Sequence, residues 1–171
     1  MITRLRHCTM SEENQISDTE DLQERLAEVQ VLLARHKLVE DLVHRQEGPR
    51  HDLVEDIVHK QHLNELQARL APMHPADIAY ILEALPLDER LIAWDLVKAE
   101  REGEILLEVS DAVRETLIDS MEHTELLAAA ETLDADELAD LVPDLPHDVV
   151  VDVFQSLSVE EREQLRAAMS Y

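Results

Sequence analysis

From Met73 onward the sequence consists of short apolar segments, separated by prolines or by acidic residues that suit helix N-termini. A helix of about ten to twelve residues is marginal alone in water, so each segment must bury its apolar stripe against neighbours. The pattern therefore predicts a packed stack of short helices. The segments are HPADIAYILEAL (74–85), LDERLIAWDLV (87–97), EILLEVS (104–110), DAVRETLIDSM (111–121), TELLAAAETL (124–133), DADELADLVPDL (134–145), HDVVVDVFQSL (147–157) and SVEEREQLRAAM (158–169).

Part of this region repeats. PADIAYILEALP (75–86) aligns with ADELADLVPDLP (135–146) at an offset of 60 residues, so that Leu85 matches Leu145 and Pro86 matches Pro146. A repeated pair of short helices is typical of superhelical stacks of the armadillo or HEAT type. We therefore predict an all-α fold in which a longer helical hairpin precedes a right-handed superhelix of short helices.

The composition agrees with an all-α fold. The chain has 171 residues, 45% of them hydrophobic, with two glycines and 2% aromatic residues. The abundant leucine, alanine and glutamate favour amphipathic helices, whereas the aromatic residues that favour strands are scarce. A chain of this length can bury a core of its own.

The net charge of −24 constrains the partners. Such a charge repels phosphate backbones and anionic lipid headgroups, so we expect neither nucleic-acid binding nor membrane-surface binding. The charge is concentrated at 102–161, which hold 18 acids and one base, Arg114. This surface can attract divalent cations or a basic partner, or it can be a solvated face that confers solubility.

Several function classes find no support. Cys8 is the only cysteine, so neither an intrachain disulfide nor a thiolate zinc site is expected, and a cytosolic setting fits. No apolar run approaches the roughly 20 residues of a membrane span, and the N-terminus lacks the apolar core of a secretory signal. The chain has no glycine-rich phosphate loop, nucleophile elbow or HExxH motif, so we predict no catalytic residues and no enzyme.

The N-terminal part has a different texture. Residues 1–17 are polar and unpatterned, which predicts disorder. From Asp18, leucines and valines recur at helical spacing, which predicts a helix that reaches about Gln46 and ends at Gly48-Pro49. A second helix is expected from about residue 50 to 70, so that 18–70 form an N-terminal helical pair.

One phrase occurs twice in this pair, as HKLVEDLVHRQ (36–46) and HDLVEDIVHKQ (51–61). Within each copy the histidines stand eight residues apart, too far along a helix to share one ion. Only His59 and His62 have the spacing that zinc needs on a single helix, and no third ligand is evident nearby. We therefore favour a duplicated helical phrase with polar histidines over a zinc site.

A second metal possibility lies in DADELAD. Asp136 and Asp140 are four residues apart and so project from one face of a helix, and carboxylates are the ligands that magnesium or calcium prefers. The same segment is also a good helix start, with Asp134 as N-cap and acids at the positive helix end. From the spacing alone, both interpretations remain open.

A resemblance bears on this choice. Four segments make residues 63–171 similar to the N-terminal cytosolic domain of the MgtE family of magnesium transporters: HPADIAYILEALPLDERLIAWDLV, EILLEV, LDADELADLVPDLP and REQLRAAMSY. HPADIA, from residue 74, and LDADELADL are the specific parts of this resemblance. The resemblance implies that 71–171 form an MgtE-type N domain. In the family, CBS domains and a membrane pore follow this domain in the chain, and the full-length protein is a homodimer.

The resemblance further implies the function of a sensor of intracellular Mg²⁺. In the family, Mg²⁺ ions between the N domain and the CBS domains of the same full-length chain favour the closed pore. Matching motifs place the family's metal-contacting acids on Glu104, Asp136 and Asp140 of this sequence. The expected location is the cytoplasmic side of the membrane, as part of an integral membrane protein, and binding of Mg²⁺ by this domain alone should be weak. The alternative is a helical-repeat scaffold that holds a partner protein independently of metal.

Overall fold

The structure is a computed structural model that describes the backbone of residues 9–43 and 51–170 and the side chains of 18–42 and 57–170. The chain divides into two compact units, Met1–Leu66 and Gln67–Tyr171. Helices are the only regular elements of the described backbone, as the sequence predicted. None of the helices in this part of the chain is both long and apolar enough to cross a membrane.

The first unit contains α1 (Thr9–Val43) and most of α2 (His51–Leu70). Helix α1 begins nine residues before the expected start at Asp18, so residues 9–17 are helical where the sequence pointed to disorder. Glutamate and glutamine in this segment have high helix propensity, and extending a helix needs no new nucleation step. The expected break at Gly48-Pro49 lies outside the described residues, as does His44.

The second unit continues with eight short helices and one 3-10 helix. These are α3 (Pro75–Ala84), α4 (Leu87–Asp95), α5 (Ala99–Glu108), α6 (Asp111–Ser120), α7 (His123–Glu131), α8 (Ala135–Leu141), the 3-10 helix Val142–Asp144, α9 (His147–Ser156) and α10 (Val159–Met169). The expected helices of 74–169 are confirmed within a few residues. The exception is α5, which includes Gly103 instead of beginning after it.

The short helices pack in two rows. In one row α3 packs on α5, α5 on α7 and α7 on α9; in the other, α4 packs on α6, α6 on the 3-10 helix and α8 on α10. Most of these helices therefore bury their apolar stripe against the helix two places along the chain, which is the packing of a superhelical helix stack. Trp94 lies in this core with 2% of its surface exposed.

A period of twelve residues underlies the stack. Apolar residues occupy every helix junction at this spacing, and most are buried: Met73, Leu85, Val97, Val109, Met121, Leu133, Leu145 and Leu157. The offset of 60 in the sequence equals five such periods, which explains why Leu85 and Leu145 end equivalent helices. Pro86 and Pro146 then stand at the N-caps of α4 and α9.

Arginines close several junctions. Arg90 on α4 donates from Nε to the Leu82 carbonyl at 2.8 Å and from a terminal nitrogen to the Leu85 carbonyl at 3.0 Å. Arg101 on α5 donates to the carbonyls of Ala71 and Met73 after α2. The last carbonyls of a helix lack hydrogen-bond donors within the helix, and the helix C-terminus has a partial negative charge. An arginine there donates the missing hydrogen bonds and neutralises this charge. Arg90 and Arg101 are thereby engaged with backbone carbonyls.

Candidate functional site

Helix α8 begins with Asp134 as its N-cap, as DADELAD suggested, and this residue forms a capping box with Glu137. The Asp134 carboxylate accepts a hydrogen bond from the Glu137 amide at 2.9 Å, and the Glu137 carboxylate accepts one from the Asp134 amide at 3.0 Å. This reciprocal pair satisfies two amides at the helix start. Capping therefore accounts for two of the acids in the segment.

Capping does not account for Asp136 and Asp140. Both side chains are exposed, and neither has a hydrogen bond or an ion pair to another described residue. Their spacing of four places both carboxylates on one face of α8. They are free to take a partner from outside the chain.

Glu104 is exposed on α5, which packs against both α7 and α8. Gly103, the residue before it, permits α5 to pack closely on the end of α7. A Cβ at Gly103 would stand 2.7 Å from the Ala129 carbonyl oxygen and 2.9 Å from the Thr132 hydroxyl. Glu104 therefore directly follows a residue at which α5 and the end of α7 are in close contact. No partner among the described residues engages its carboxylate.

The three predicted ligands lie on packed helices without forming a complete metal site. Among the described side chains, no group of three histidine, cysteine, aspartate or glutamate residues is spaced to hold a metal ion. Carboxylate oxygens have the chemistry that Mg²⁺ prefers, but Mg²⁺ commonly takes only one or two carboxylates from one protein surface and completes its shell with water or other groups. The assignment of Glu104, Asp136 and Asp140 as ligands remains a prediction.

A carboxylate cluster that the sequence did not reveal joins three helices. Burial raises the pKa of Asp95 on α4, and the negative charge of Glu125 on α7 raises it further. Burial also raises the pKa of Glu102 on α5, followed by the charges of Glu125 and Asp95. One Glu102 oxygen is buried without a hydrogen-bond partner. Because the three residues come from separate helices, no local motif marks them.

Another site joins α7 and α9 through His123. Its Nδ1 lies 3.1 Å from an Asp148 oxygen, and its Nε2 lies 2.6 Å from an Asp152 oxygen. A neutral imidazole donates from only one nitrogen, so contacts of both nitrogens with carboxylates favour the imidazolium. The hydrogen bond to Asp152 is the largest of the effects that raise the pKa of His123, and Asp148 adds to it.

This geometry predicts a pH-dependent contribution of His123 to stability. Because the folded pKa lies above the usual 6.5, the contribution is present below 6.5 and disappears as the pH rises through the raised value. His123→Gln should therefore lower the melting temperature more at about pH 6 than at about pH 9. His74→Gln is the control, since His74 is exposed and makes no side-chain cap. An equal loss at both pH values contradicts the prediction.

Fold and surface together define an all-α helical-repeat domain in which, among the described residues, Glu104, Asp136 and Asp140 are exposed acids without a side-chain partner. Residues 73–171 match the family model described as the MgtE intracellular N domain. Since this match covers more than half of the chain, the chain belongs to that family. The resemblance noted in the sequence is confirmed.

A solved structure supports the same fold. The chain is similar to a protein described as the soluble part of a magnesium transporter, with a TM-score of 0.57 and 12% sequence identity. The similarity covers 88% of this chain and 50% of that one, so the chain spans about half the length of the solved protein. No curated protein gives a significant match.

Proposed function

We propose that this chain is the magnesium-sensing regulatory domain of a magnesium transporter. Asp136, Asp140 and Glu104 contribute carboxylates to Mg²⁺ ions that are shared with CBS domains of the same full-length chain. Abundant Mg²⁺ then favours a compact, closed arrangement of a homodimeric protein on the inner side of the membrane. Membership of the MgtE N-domain family and the similarity to the soluble part of a magnesium transporter support this proposal.

The observation that carries the proposal is the unpaired state of Asp136 and Asp140. Nearby acids have structural roles: Asp134 and Glu137 cap α8, and Asp144 pairs with Arg114 at 2.8 Å. Asp136 and Asp140 have none of these roles, although they share a helix face. Two neighbouring exposed carboxylates on a chain of net charge −24 favour binding of a divalent counterion.

The physical mechanism is a shift between docked and separated states. Two acidic surfaces repel each other, and at physiological salt exposed charges are screened only beyond about 8 Å. Ions that bind only where both surfaces meet favour the docked state by their differential affinity. Several weak sites acting together can shift such an equilibrium substantially, so tight binding by this chain alone is not required.

The test uses the longer protein that includes the CBS region. Its radius of gyration, measured by solution scattering, should fall as Mg²⁺ rises into the millimolar range at an ionic strength held constant with potassium chloride. Asp136→Asn combined with Asp140→Asn should abolish this compaction, and Glu104→Gln should weaken it. The matched control is Glu160→Gln with Glu163→Gln, which removes two exposed acids from α10.

The outcomes separate the proposal from its competitors. Compaction in the control but not in the aspartate variant supports the sensor and its ligands. Equal compaction with potassium chloride alone indicates ordinary charge screening and contradicts the sensor. Docking that is stable and indifferent to Mg²⁺ identifies a metal-independent scaffold.

A further inference from the structure

His36 occupies a core position in the first unit. It continues the buried stripe of α1 that contains Val29, Leu32 and Leu33, at helical spacing. Only 5% of its surface is exposed, and it is the one polar or charged residue in the buried class among the described side chains. A histidine thus stands where the pattern calls for an apolar residue.

Two histidines of α2 accompany it. The rings of His36 and His59 lie 4.3 Å apart between centroids, with their planes tilted by 50°. His62 follows His59 by three residues and so shares its helix face. The Nδ1 atoms of His36 and His62 are both buried without a hydrogen-bond partner. The repeated phrase therefore brings the first histidine of one copy against the last histidine of the other.

The surroundings of His36 oppose its protonation. Burial lowers the pKa of His36 most, the neighbouring His59 and His62 lower it further, and only the Glu40 carboxylate on α1 acts in the opposite direction. The buried Nδ1 of His36 has no hydrogen-bond partner, so protonating both nitrogens of this ring would leave one N–H without an acceptor. The three residues are not grouped to hold a metal ion. Their chemistry is that of neutral rings packed at a helix contact.

We propose that His36, His59 and His62 form an acid-sensitive contact between α1 and α2, which loosens as the pH falls below neutrality. A ring that is released from the contact can take up a proton and be hydrated, whereas the packed ring cannot do so at the same pH. Protons thereby act on the first unit independently of the acids proposed to bind Mg²⁺. This input goes beyond the proposed magnesium sensing.

The sign and size of the effect follow from proton linkage. A folded pKa below the usual 6.5 means that the packed state has its full stability above 6.5 and loses it as the pH falls from there toward the lowered value. One ring that remains neutral when packed and titrates normally when released raises the open population at most about tenfold between pH ~7.5 and ~5.5. His59 and His62 can increase this ratio if they titrate with His36.

Hydrogen exchange of the whole chain measures this opening. After correction for the intrinsic pH dependence of exchange, the amides of α1 around His36 should exchange up to about tenfold faster at pH ~5.5 than at pH ~7.5. The amides of α5 and α7 serve as an internal comparison and should not exchange faster in acid, because the raised pKa values of Glu102 and His123 favour the folded state of these helices there. Unchanged protection of α1 overturns the proposal.

A pair of variants assigns the effect. His36→Leu retains a core side chain without a titrating group, so α1 should lose most of its acid response. His147→Gln removes an exposed histidine from α9 and should leave the response unchanged. If His36→Leu responds to acid as the unmodified chain does, the proposal is wrong. Should that variant fail to fold, the ring of His36 can be titrated by NMR in the unmodified chain, where a midpoint at or above 6.5 contradicts the proposal.

Discussion

Replacing Arg114 by methionine should lower the free energy of unfolding by roughly 2–4 kcal/mol, because several hydrogen bonds from one charged, mostly buried group are lost together. Its Nε donates to the Leu106 carbonyl at 2.6 Å, and a terminal nitrogen donates to the Leu107 carbonyl at 3.3 Å. The other terminal nitrogen pairs with Asp144 at 2.8 Å. The side chain, 11% exposed, thus fastens the end of α5 and the 3-10 helix to α6. Chemical denaturation of the whole chain measures the loss.

Two further variants distinguish the effect of the hydrogen bonds that the forked Arg114 guanidinium donates from the effect of its positive charge. Arg114→Lys keeps the positive charge but cannot reach carbonyls and carboxylate together, so it should recover only a minor part of the lost stability. Arg35→Met removes an exposed base from α1 and should change the free energy of unfolding by less than about 0.5 kcal/mol. If Arg35→Met is as destabilising as Arg114→Met, the loss comes from net charge and the proposed role of the fork is wrong.

The role of Arg114 also shows why the acidic surface forms. It is the one base in 102–161, and its guanidinium is committed to backbone carbonyls and to two aspartates, Asp144 and Asp111. Arg162, just beyond this stretch, likewise donates to a carbonyl, that of Gln155 at 3.3 Å. These two arginines therefore act at helix ends, and among the described residues Glu104, Asp136 and Asp140 keep carboxylates without a side-chain partner. The charge count was available from the sequence, but the engagement of the arginines depends on tertiary packing.

The helix boundaries of the second unit were predictable because their signals are local. Proline stands at the start of α3 and before α4 and α9, while Ser158 and Asp134 provide capping boxes. These residues act through backbone geometry and hydrogen bonds within one turn, so a single sequence contains the information. The two-row packing follows from the length of the helices, since none is stable alone.

The features that were missed depend on contacts distant in sequence. His59 and His62 were recognised as a pair, but their neighbour His36 is 23 residues before His59 and comes from another helix. The cluster of Asp95, Glu102 and Glu125 likewise combines three helices. Spacing rules describe one helix at a time, so they cannot find such groups. The predicted ligands were named from matching motifs, and the structure adds that Asp136 and Asp140 are not used in capping.

Helix α5 differs from the prediction at its start, because Gly103 was expected to precede the helix and instead lies inside it. Glycine within a helix costs about 1 kcal/mol relative to alanine, which makes it a reasonable boundary signal. Here the missing Cβ is required, since it would meet the Ala129 carbonyl oxygen at 2.7 Å and a Leu133 methyl carbon at 3.1 Å. A close crossing of α5 and α7 therefore outweighs helix propensity.

Gly103→Ala should accordingly destabilise the chain, although alanine is the better helix former. Overpacking a tight contact typically costs about 1–3 kcal/mol, which exceeds the propensity gain of about 1 kcal/mol at the upper end of that range. Gly103→Leu should cost more, because its larger side chain forces α5 away from α7. Denaturant unfolding of both variants gives the free energies.

Ala112→Leu is the matched control for bulk, since Ala112 is exposed on α6 and should tolerate the change within about 0.5 kcal/mol. Displacement of α5 also moves Glu104 relative to α8, so in the longer protein Gly103→Leu should weaken Mg²⁺-dependent compaction while Ala112→Leu leaves it intact. If the Gly103→Ala variant is more stable than the unmodified chain, α5 and α7 can move apart at this contact at little cost in free energy. Glycine at this position is then not needed to hold Glu104 beside the end of α7.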